Sequence, residues 1–263
     1  MRKFGDLFPD VKPIIGMIHL PPLPGYAESK GIDDAISHAV RDLRVLEQIG
    51  VDGVLIENEY DRPHRVTATT ETIAAMTRIT RAVVRESASA VIGCEILLND
   101  PRASLAVARM SGADFIRTDY FVDAMTRPEY GEFAIDAAGL REYRRSLDAE
   151  DVLVFADIQV KYATMIEPRP LGESARIACA EQADAIIVSG SRTADAPSIE
   201  DLREAVLHSS VPVLIGSGLD PENASTLLAE CAGAIVGTSL MRNRAVAPAA
   251  TGRLMASIGR TRG

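Results

Sequence analysis

Residues 49–56 read Ile49-Gly50-Val51-Asp52-Gly53-Val54-Leu55-Ile56, and this stretch is the clearest indication of the fold in the sequence. The segment before Gly50 has apolar residues at spacings of three and four, which predicts an amphipathic helix. Gly50 is expected to end that helix. The Gly-Val-Leu-Ile run that follows is continuous rather than alternating, which is typical of a strand buried on both faces of a parallel sheet. The stretch is therefore the helix-to-strand junction of a strand–helix repeat, and Ser111-Gly112-Ala113-Asp114 repeats it.

Short apolar runs of the same kind occur eight times, and each is followed by polar or glycine residues and then by a helical pattern. The runs are residues 13–18, 53–56, 90–94, 114–116, 152–156, 185–188, 211–215 and 233–236. An eight-stranded parallel barrel explains so even a repeat more economically than an open doubly wound sheet. The predicted fold class is α/β, a (β/α)8 TIM barrel. No linker or low-complexity stretch divides the chain, so residues 1–263 are predicted to form a single barrel domain.

Composition excludes several classes of protein. The chain has 263 residues, of which 47% are hydrophobic and 25% charged, and this profile excludes disordered, collagen-like and coiled-coil proteins. Its formal net charge of −9 argues against binding to nucleic acid or to an anionic membrane. Neither a signal peptide nor an apolar run long enough for membrane insertion is present, so we expect a cytoplasmic protein with small-molecule partners. The three cysteines form no CxxC pair and suggest neither a disulfide framework nor a zinc site.

Polar residues follow most of the apolar runs. In such barrels the loops after the strands build the active site. Any strand that reaches solvent can end in polar residues, and it is the joint occurrence of acids, His, Arg and Lys that favours a site. The catalytic candidates are His19, Glu57, Arg117, Asp157 and Lys161, and the candidate substrate-binding residues are Asn58, Glu95, Asn99, Asp119, Ser189 and Thr193. We expect replacement of such residues to affect chemistry more than stability.

A pair of glycine-containing loops predicts a phosphate site. Gly216, Ser217 and Gly218 follow the seventh run, and Gly237, Thr238 and Ser239 follow the eighth. Glycines let backbone N–H groups approach an anion closely, and Pro221 with Glu222 is expected to begin a helix whose positive end faces that anion. The anion is either a substrate phosphate ester or inorganic phosphate as a co-substrate. The alternative is that these glycines only allow tight turns.

Two of the candidates have more than one interpretation. Lys161 is the only lysine beyond residue 30, and it would form a Schiff base, bind an anionic substrate or pair with a carboxylate; the electrostatic role is favoured. His19 is a candidate acid–base residue, or else it is hydrogen-bonded within the proline-rich loop that follows it. Glu57, Glu95 and Asp157 are carboxylates that a divalent cation could use, but no spaced metal motif is present, so no metal or other cofactor is predicted.

The segment around residues 120–130 is an insertion between the fourth and fifth strands. Such an insertion beside the carboxyl ends of barrel strands has two interpretations. It is a lid over the site, or it is a contact between subunits of a homo-oligomer. Both interpretations stay open at the level of sequence.

Several motifs together resemble the BtpA family of barrel-type proteins. They are Pro13-Ile14-Ile15-Gly16-Met17-Ile18-His19-Leu20 with Pro22-Leu23-Pro24-Gly25, Val51-Asp52-Gly53-Val54-Leu55-Ile56-Glu57-Asn58 with Asp61-Arg62-Pro63, Leu98-Asn99-Asp100, Phe115-Ile116-Arg117, Ala156-Asp157-Ile158 with Lys161, Ile215-Gly216-Ser217-Gly218 with Glu222-Asn223, and Ile235-Val236-Gly237-Thr238-Ser239-Leu240. The resemblance implies a barrel fold and phosphorylated ligands of sugar or nucleoside metabolism. The family is named for a photosystem I biogenesis factor. Departures at residues 160–162, 189–194 and 241–244 concern the substrate more than the fold.

Three functions follow from these observations. The leading hypothesis is an enzyme of ribosyl or sugar-phosphate metabolism, in its most concrete form a nucleoside phosphorylase that gives a sugar 1-phosphate and a free base. The second is a sugar-phosphate aldolase, isomerase or lyase that uses Lys161 for carbonyl chemistry. The third is a non-catalytic assembly factor of the photosystem I biogenesis type.

Overall fold

The computed structural model describes residues 2–9 and 11–260, and eight of its strands close into a parallel barrel. The barrel strands are β1 (Ile14–His19), β2 (Gly53–Glu57), β3 (Val91–Glu95), β4 (Phe115–Thr118), β5 (Leu153–Ile158), β6 (Ala185–Val188), β7 (Val213–Ile215) and β8 (Gly233–Val236). Each is followed by a helix, in order α1 (Ile32–Ile49), α2 (Thr70–Glu86), α3 (Pro101–Ser111), α4 (Ala137–Ser146), α5 (Leu171–Ala180), α6 (Ile199–His208), α7 (Ala224–Ala229) and α8 (Pro248–Ser257). The predicted (β/α)8 TIM barrel is confirmed.

The closure of the barrel is a pairing of the first strand with the last. On β1, Ile15 pairs with Gly53 of β2 on one side and with Ile235 of β8 on the other. The predicted helix stops are confirmed as well, because Gly50 after α1 and Gly112 after α3 have left-handed φ angles of 93° and 82°. None of the described helices is both long enough and apolar enough to cross a bilayer.

The interior of the barrel is a compact apolar layer built by every second strand residue. Phe115 and Phe155 fill its centre, with ring centroids 4.4 Å apart and nearly parallel planes. Gly93 makes room for them, since a Cβ at this position would lie 2.3 Å from the Phe115 ring. The remaining inward residues are Ile15, Met17, Leu55, Leu153, Ala185, Ile187, Leu214 and Ile235.

The end of the barrel at the strand N-termini is closed by residues from the beginning of the chain. A short helix, Phe4–Leu7, packs against the interior layer, with the Phe4 ring centroid 5.6 Å from that of Phe155. The far end of the described chain returns to the same face, where Arg260 donates a hydrogen bond of 2.9 Å to the carbonyl of Lys12. Both described ends therefore lie at the closed face of the barrel.

The opposite end carries the predicted insertion. Two short antiparallel strands, Met125–Arg127 and Gly131–Phe133, are joined by a third, Thr164–Met165, from the loop after β5. Tyr120 is fully buried beneath them and stacks on Phe133 at 4.7 Å. We call these three strands the insertion sheet. It stands at the carboxyl ends of the barrel strands, and its role as a lid or subunit contact stays a prediction.

Replacement of Gly93 by Ala tests the interior packing. The new methyl group would overlap the Phe115 ring, and overpacking of this kind costs about 1–3 kcal/mol of unfolding free energy. The control is Gly252→Ala on α8, where no atom lies within 4 Å of the new Cβ, so stability should stay constant or rise slightly. Urea unfolding of both variants measures the difference. Equal stability of Gly93→Ala and wild type would contradict the packing described.

Candidate active site

Strand register brings the polar candidates to one end of the barrel. His19 pairs with Glu57 across β1 and β2, and Glu57 pairs with Glu95 across β2 and β3. Because side chains alternate along a strand, these residues continue the inward row of the apolar interior. Arg117 does the same on β4, two residues after Phe115. The interior thus changes from apolar to charged at the carboxyl ends of the strands.

These side chains open into a cavity of about 710 Å³. The predicted residues at its wall are His19, Glu57, Glu95, Arg117, Asp119, Lys161, Thr193, Gly216, Ser217, Gly218, Gly237, Thr238 and Ser239. Asp157, Asn58, Asn99 and Ser189 are not part of that wall. The cavity therefore joins the predicted catalytic residues to both glycine loops.

Asp157 lies beneath the cavity, in a buried ion pair. Arg117 donates from Nε and Nη2 to the two carboxylate oxygens of Asp157, at 2.8 and 3.1 Å, and Ser189 donates to the same carboxylate at 3.1 Å. Glu95 lies 3.7 Å from the Arg117 Nε. Asp157 has no exposed surface, so we expect its replacement, unlike that of a strand-end residue facing the cavity, to lower stability as well as activity. We interpret it as a positioning residue for Arg117.

Two of the predicted substrate-binding residues, Asn58 and Asn99, do not line the cavity, and Asn58 has structural contacts instead. The Asn58 side chain accepts a hydrogen bond from the Leu97 N–H at 2.8 Å and donates to Asp61 at 3.0 Å. Asp61 in turn accepts from the Leu23 N–H at 2.8 Å, so Asn58 ties together the loops after β1, β2 and β3. The amide oxygen of Asn99 is buried outside the cavity wall. Sequence position at a strand end does not show whether a side chain turns toward the cavity or away from it.

The loop after β7 differs from its prediction in one respect. Residues 221–223 form a turn, and α7 begins only at Ala224. The carboxylate of Asp220 accepts from the N–H groups of Glu222 and Asn223, both at 2.9 Å. These donors are therefore already paired, and the expected helix N-terminus facing the anion is absent there.

The two glycine loops nevertheless form an open backbone cradle. The Ser217 hydroxyl donates a hydrogen bond of 2.8 Å to the carbonyl of Asp195, and the Ser239 hydroxyl donates one of 2.7 Å to the carbonyl of Leu219. Within the described chain, the N–H groups of Gly218 and Thr238 have no hydrogen-bond acceptor, and both residues line the cavity. We call Gly216–Gly218 with Gly237–Ser239 the glycine cradle.

Polar side chains of the strands lie beside this glycine cradle. A Cβ placed on Gly237 would lie 3.4 Å from His19 Nε2, and one placed on Gly216 would lie 3.6 Å from Arg117 Nη2. The imidazole and the guanidinium are therefore neighbours of the two loops. A Cβ on Gly216 would also lie 2.4 Å from Ile187 and Ser189, so this glycine is required for packing as well.

Burial shifts the ionisation of several groups at the cavity. Burial, reinforced by Lys161 and Arg117, lowers the pKa of His19 to about 4, so that its ring is neutral at pH 7. Burial and the neighbouring carboxylate of Glu57 raise the pKa of Glu59 to about 7. Burial and Asp157 raise the pKa of Asp119 to about 7. Burial also raises the pKa of Glu95 well above its ordinary value, although Arg117 opposes the shift.

The cavity thus contains carboxyl groups that hold a proton near neutral pH, as general acids do. Among the described residues, no group of three or more His, Cys, Asp or Glu side chains is arranged to hold a metal ion.

Sequence reasoning missed part of the wall. Glu59, Arg62, Arg127, Tyr162 and Arg242 line the cavity but were not among the candidates. Glu59 stands two residues after Glu57, and this spacing was a usable signal. Arg127 carried no such signal, because it reaches the cavity only through the pairing of the insertion sheet.

Comparison with known proteins identifies a matching family and solved structures of similar fold. The sequence matches the model of the BtpA family over residues 10–251. It is 35% identical to the photosystem I biogenesis protein BtpA of Synechocystis over 88% of this chain and 81% of that protein. It is 36% identical to an uncharacterized mitochondrial protein of Caenorhabditis elegans, over 86% and 83% of the two chains. The thiamine phosphate pyrophosphorylase from Pyrococcus furiosus is similar in fold, with a TM-score of 0.59, 16% identity, and coverage of 95% of this chain and 97% of that one.

A double-mutant cycle measures the buried ion pair. Arg117→Met leaves a buried carboxylate without its cation, and removal of one partner of such a pair costs about 3–5 kcal/mol. With Asp157→Asn as the second change, we expect a coupling energy above about 2 kcal/mol. The control is the exposed pair of Arg203 and Glu230, which also has two hydrogen bonds, at 2.8 and 2.9 Å, and should couple much more weakly because solvent screens it. Equal coupling in the two pairs would contradict a buried, energetically dominant Arg117–Asp157 contact.

Proposed function

The chain belongs to the BtpA family, and we propose that it is a phosphate-binding enzyme acting on a ribosyl or sugar-phosphate metabolite, most specifically by phosphorolysis of a nucleoside. One observation carries the proposal. The glycine cradle and the carboxyl groups with raised pKa values line the same cavity. Phosphorolysis needs an anion site beside a proton donor, and this cavity offers both.

The cavity residues divide into three roles, which are phosphate binding, proton donation and stabilisation of the sugar ring. The free N–H groups of Gly218 and Thr238, with Lys161 and the neutral His19, would hold inorganic phosphate. A phosphate oxygen then attacks the anomeric carbon of the ribosyl group while the carbon–nitrogen bond to the base breaks. The electron pair goes to the base nitrogen, which takes a proton from Glu59 or Asp119. The carboxylate of Glu57 would stabilise the positive charge that develops on the sugar ring.

Lys161 supports a second candidate function. It lies at the cavity wall, where its amine could attack a carbonyl in a sugar-phosphate aldolase or lyase reaction. Borohydride trapping distinguishes this reaction, since only a Schiff base leaves a stable adduct at Lys161.

The third hypothesis, a role in photosystem I assembly, rests on the name of the Synechocystis relative. Animals have no photosystem I, so that role cannot be common to the Caenorhabditis elegans relative. Small-molecule substrates, a cytoplasmic location, a homo-oligomeric state and one domain spanning residues 1–263 stay predictions.

Phosphate binding is tested by thermal unfolding. At constant ionic strength, phosphate at a hundred times its dissociation constant should stabilise the protein by about 2.7 kcal/mol. In Gly237→Ala the new methyl group enters the glycine cradle beside His19 and should remove most of that gain. Gly252→Ala, with its Cβ in open space, should keep it. Gly216→Val is a poorer test, because its clash with Ile187 would disturb packing whether or not phosphate binds. Absence of any phosphate-dependent shift in the wild type would overturn the proposal.

Base release tests the general acid. We expect release of free base from a nucleoside only when phosphate is present, followed by ultraviolet absorbance. An acid with a pKa of about 7 is protonated below that pH, so kcat/KM should fall as pH rises through about 7.

Replacement of the acid should change both the rate and its pH dependence. Glu59→Gln should lower kcat by about 100-fold or more and flatten the pH profile, unless Asp119 is the donor, in which case Asp119→Asn has that effect. Glu142→Gln on the exposed face of α4 is the control. Phosphate-independent release, or unchanged profiles in both variants, would contradict the mechanism.

A further inference from the structure

The wall of the cavity across the barrel from the glycine cradle carries a second group of polar side chains. Arg62 and His64 come from the loop after β2, and Arg127 comes from the insertion sheet. None of them has a role in the mechanism above. Buried polar atoms of His64 and Arg127 that have no partner among the described residues distinguish this wall from ordinary surface.

Arg127 lies beside two aromatic rings and has, among the described residues, only one, distant, carboxylate neighbour. Its guanidinium lies 5.3 Å from the ring centroid of Tyr130 and 5.7 Å from that of Tyr162. Its Nε is buried and donates to no acceptor in the described part of the chain. The neighbouring carboxylate of Glu129 is 3.8 Å away on a side chain that is 63% exposed, so the ion pair is weak.

His64 adds a second unsatisfied group. The residue is only 6% exposed, it lines the cavity, and its Nδ1 has no hydrogen-bond partner among the residues described. Burial, reinforced by Arg62 and Arg127, lowers its pKa to about 4, so the neutral ring can donate one hydrogen bond. A buried polar atom without a partner is costly, and one that faces a cavity is typically satisfied by a ligand or water.

Arg62 makes the wall more positive. Its partner is Glu59, whose pKa of about 7 means that the carboxylate is only partly ionised at neutral pH. Arg62 and Arg127 thus bring two guanidinium groups to this wall, each beside a single carboxylate, of Glu59 and of Glu129. A dianionic group balances two guanidinium groups better than a carboxylate does.

We propose that Arg127, Arg62 and His64 form a second oxyanion subsite, which binds a phosphate ester on the sugar of the substrate. This inference rests on the proposed function for the role of the glycine cradle, which takes inorganic phosphate. The substrate class is then a nucleoside monophosphate rather than a neutral nucleoside. Phosphorolysis of such a substrate forms the bond from C1 to the phosphate oxygen, breaks the bond from C1 to the base, and gives a sugar bisphosphate.

Calorimetric titration with ribose 5-phosphate tests the subsite, with neutral ribose as the reference ligand and ionic strength held constant. Arg127→Met should weaken ribose 5-phosphate binding by about 10- to 100-fold, the range expected for loss of a charged hydrogen bond. Arg127→Lys keeps the cation and should weaken it less. Arg85→Met, which removes an exposed arginine in the last turn of α2 at the closed end of the barrel, is the matched control and should bind as the wild type does.

The glycine cradle variant separates this subsite from the phosphate site. Gly237→Ala should weaken inorganic phosphate while leaving ribose 5-phosphate binding within about twofold. If Gly237→Ala weakens ribose 5-phosphate and Arg127→Met does not, the ester occupies the glycine cradle and the second subsite is refuted, while phosphate binding at the cradle stands. If the wild type binds ribose 5-phosphate no better than ribose, the subsite is refuted whatever the result with phosphate.

Discussion

The contact between Arg117 and Asp157 sets the electrostatics of the whole cavity. It places a permanent cation at the centre of the barrel mouth, where Glu95, Asp119 and the buried Asp157 carboxylate would otherwise repel one another. Burial lowers the pKa of Arg117, but the carboxylates of Asp157 and Glu95 raise that pKa by more than burial lowers it. The guanidinium therefore holds its proton more firmly than an exposed arginine does. Burial raises the pKa values of Glu95 and Asp119, and Asp157 raises them further, whereas Arg117 opposes both shifts. Arg117 thus limits how far the pKa values of these two carboxyl groups rise.

The apolar layer below determines where this charged layer can lie. The stacked rings of Phe115 and Phe155 occupy the barrel centre, and Gly93 leaves the space they need. Arg117 and Asp157 each follow one of these rings by two residues on the same strand. The alternation of side chains along each strand, which points the two rings into the barrel, therefore also points Arg117 and Asp157 inward, at the carboxyl end of the barrel. The apolar interior and the ion pair thus belong to the same set of inward-facing strand positions.

Most of the fold could be predicted from sequence, because continuous apolar runs and helix-ending glycines are local signals. The candidate site could be predicted only in part. Strand-end position identified His19, Glu57 and Lys161, which line the cavity. It failed to distinguish Asn58, whose amide joins loops, from residues of the cavity wall. Side-chain direction beyond the end of a strand depends on loop conformation, and loop conformation depends on contacts distant in sequence.

The insertion sheet shows the same limit more strongly. Its third strand, Thr164–Met165, comes from a different loop, and only their pairing brings Arg127 to the cavity. The residue pattern of the segment around residues 120–130 does not indicate that it pairs with Thr164–Met165. The polar wall across from the glycine cradle is thus a product of tertiary structure rather than of a motif.

The meeting of both described chain ends at the closed face has a consequence for the topology of the molecule. Arg260 contacts the carbonyl of Lys12 and Arg2 pairs with Asp114 just before β4, so a peptide laid across the closed face could connect the two ends without crossing the mouth. A circularly permuted chain, opened at an exposed turn between a helix and the next strand, would keep every strand neighbour and every cavity residue. The order of the strand–helix units along the chain is therefore one of several orders that would build the same barrel. For the same reason, attachment of the protein to a surface through either described end would leave the cavity facing solution.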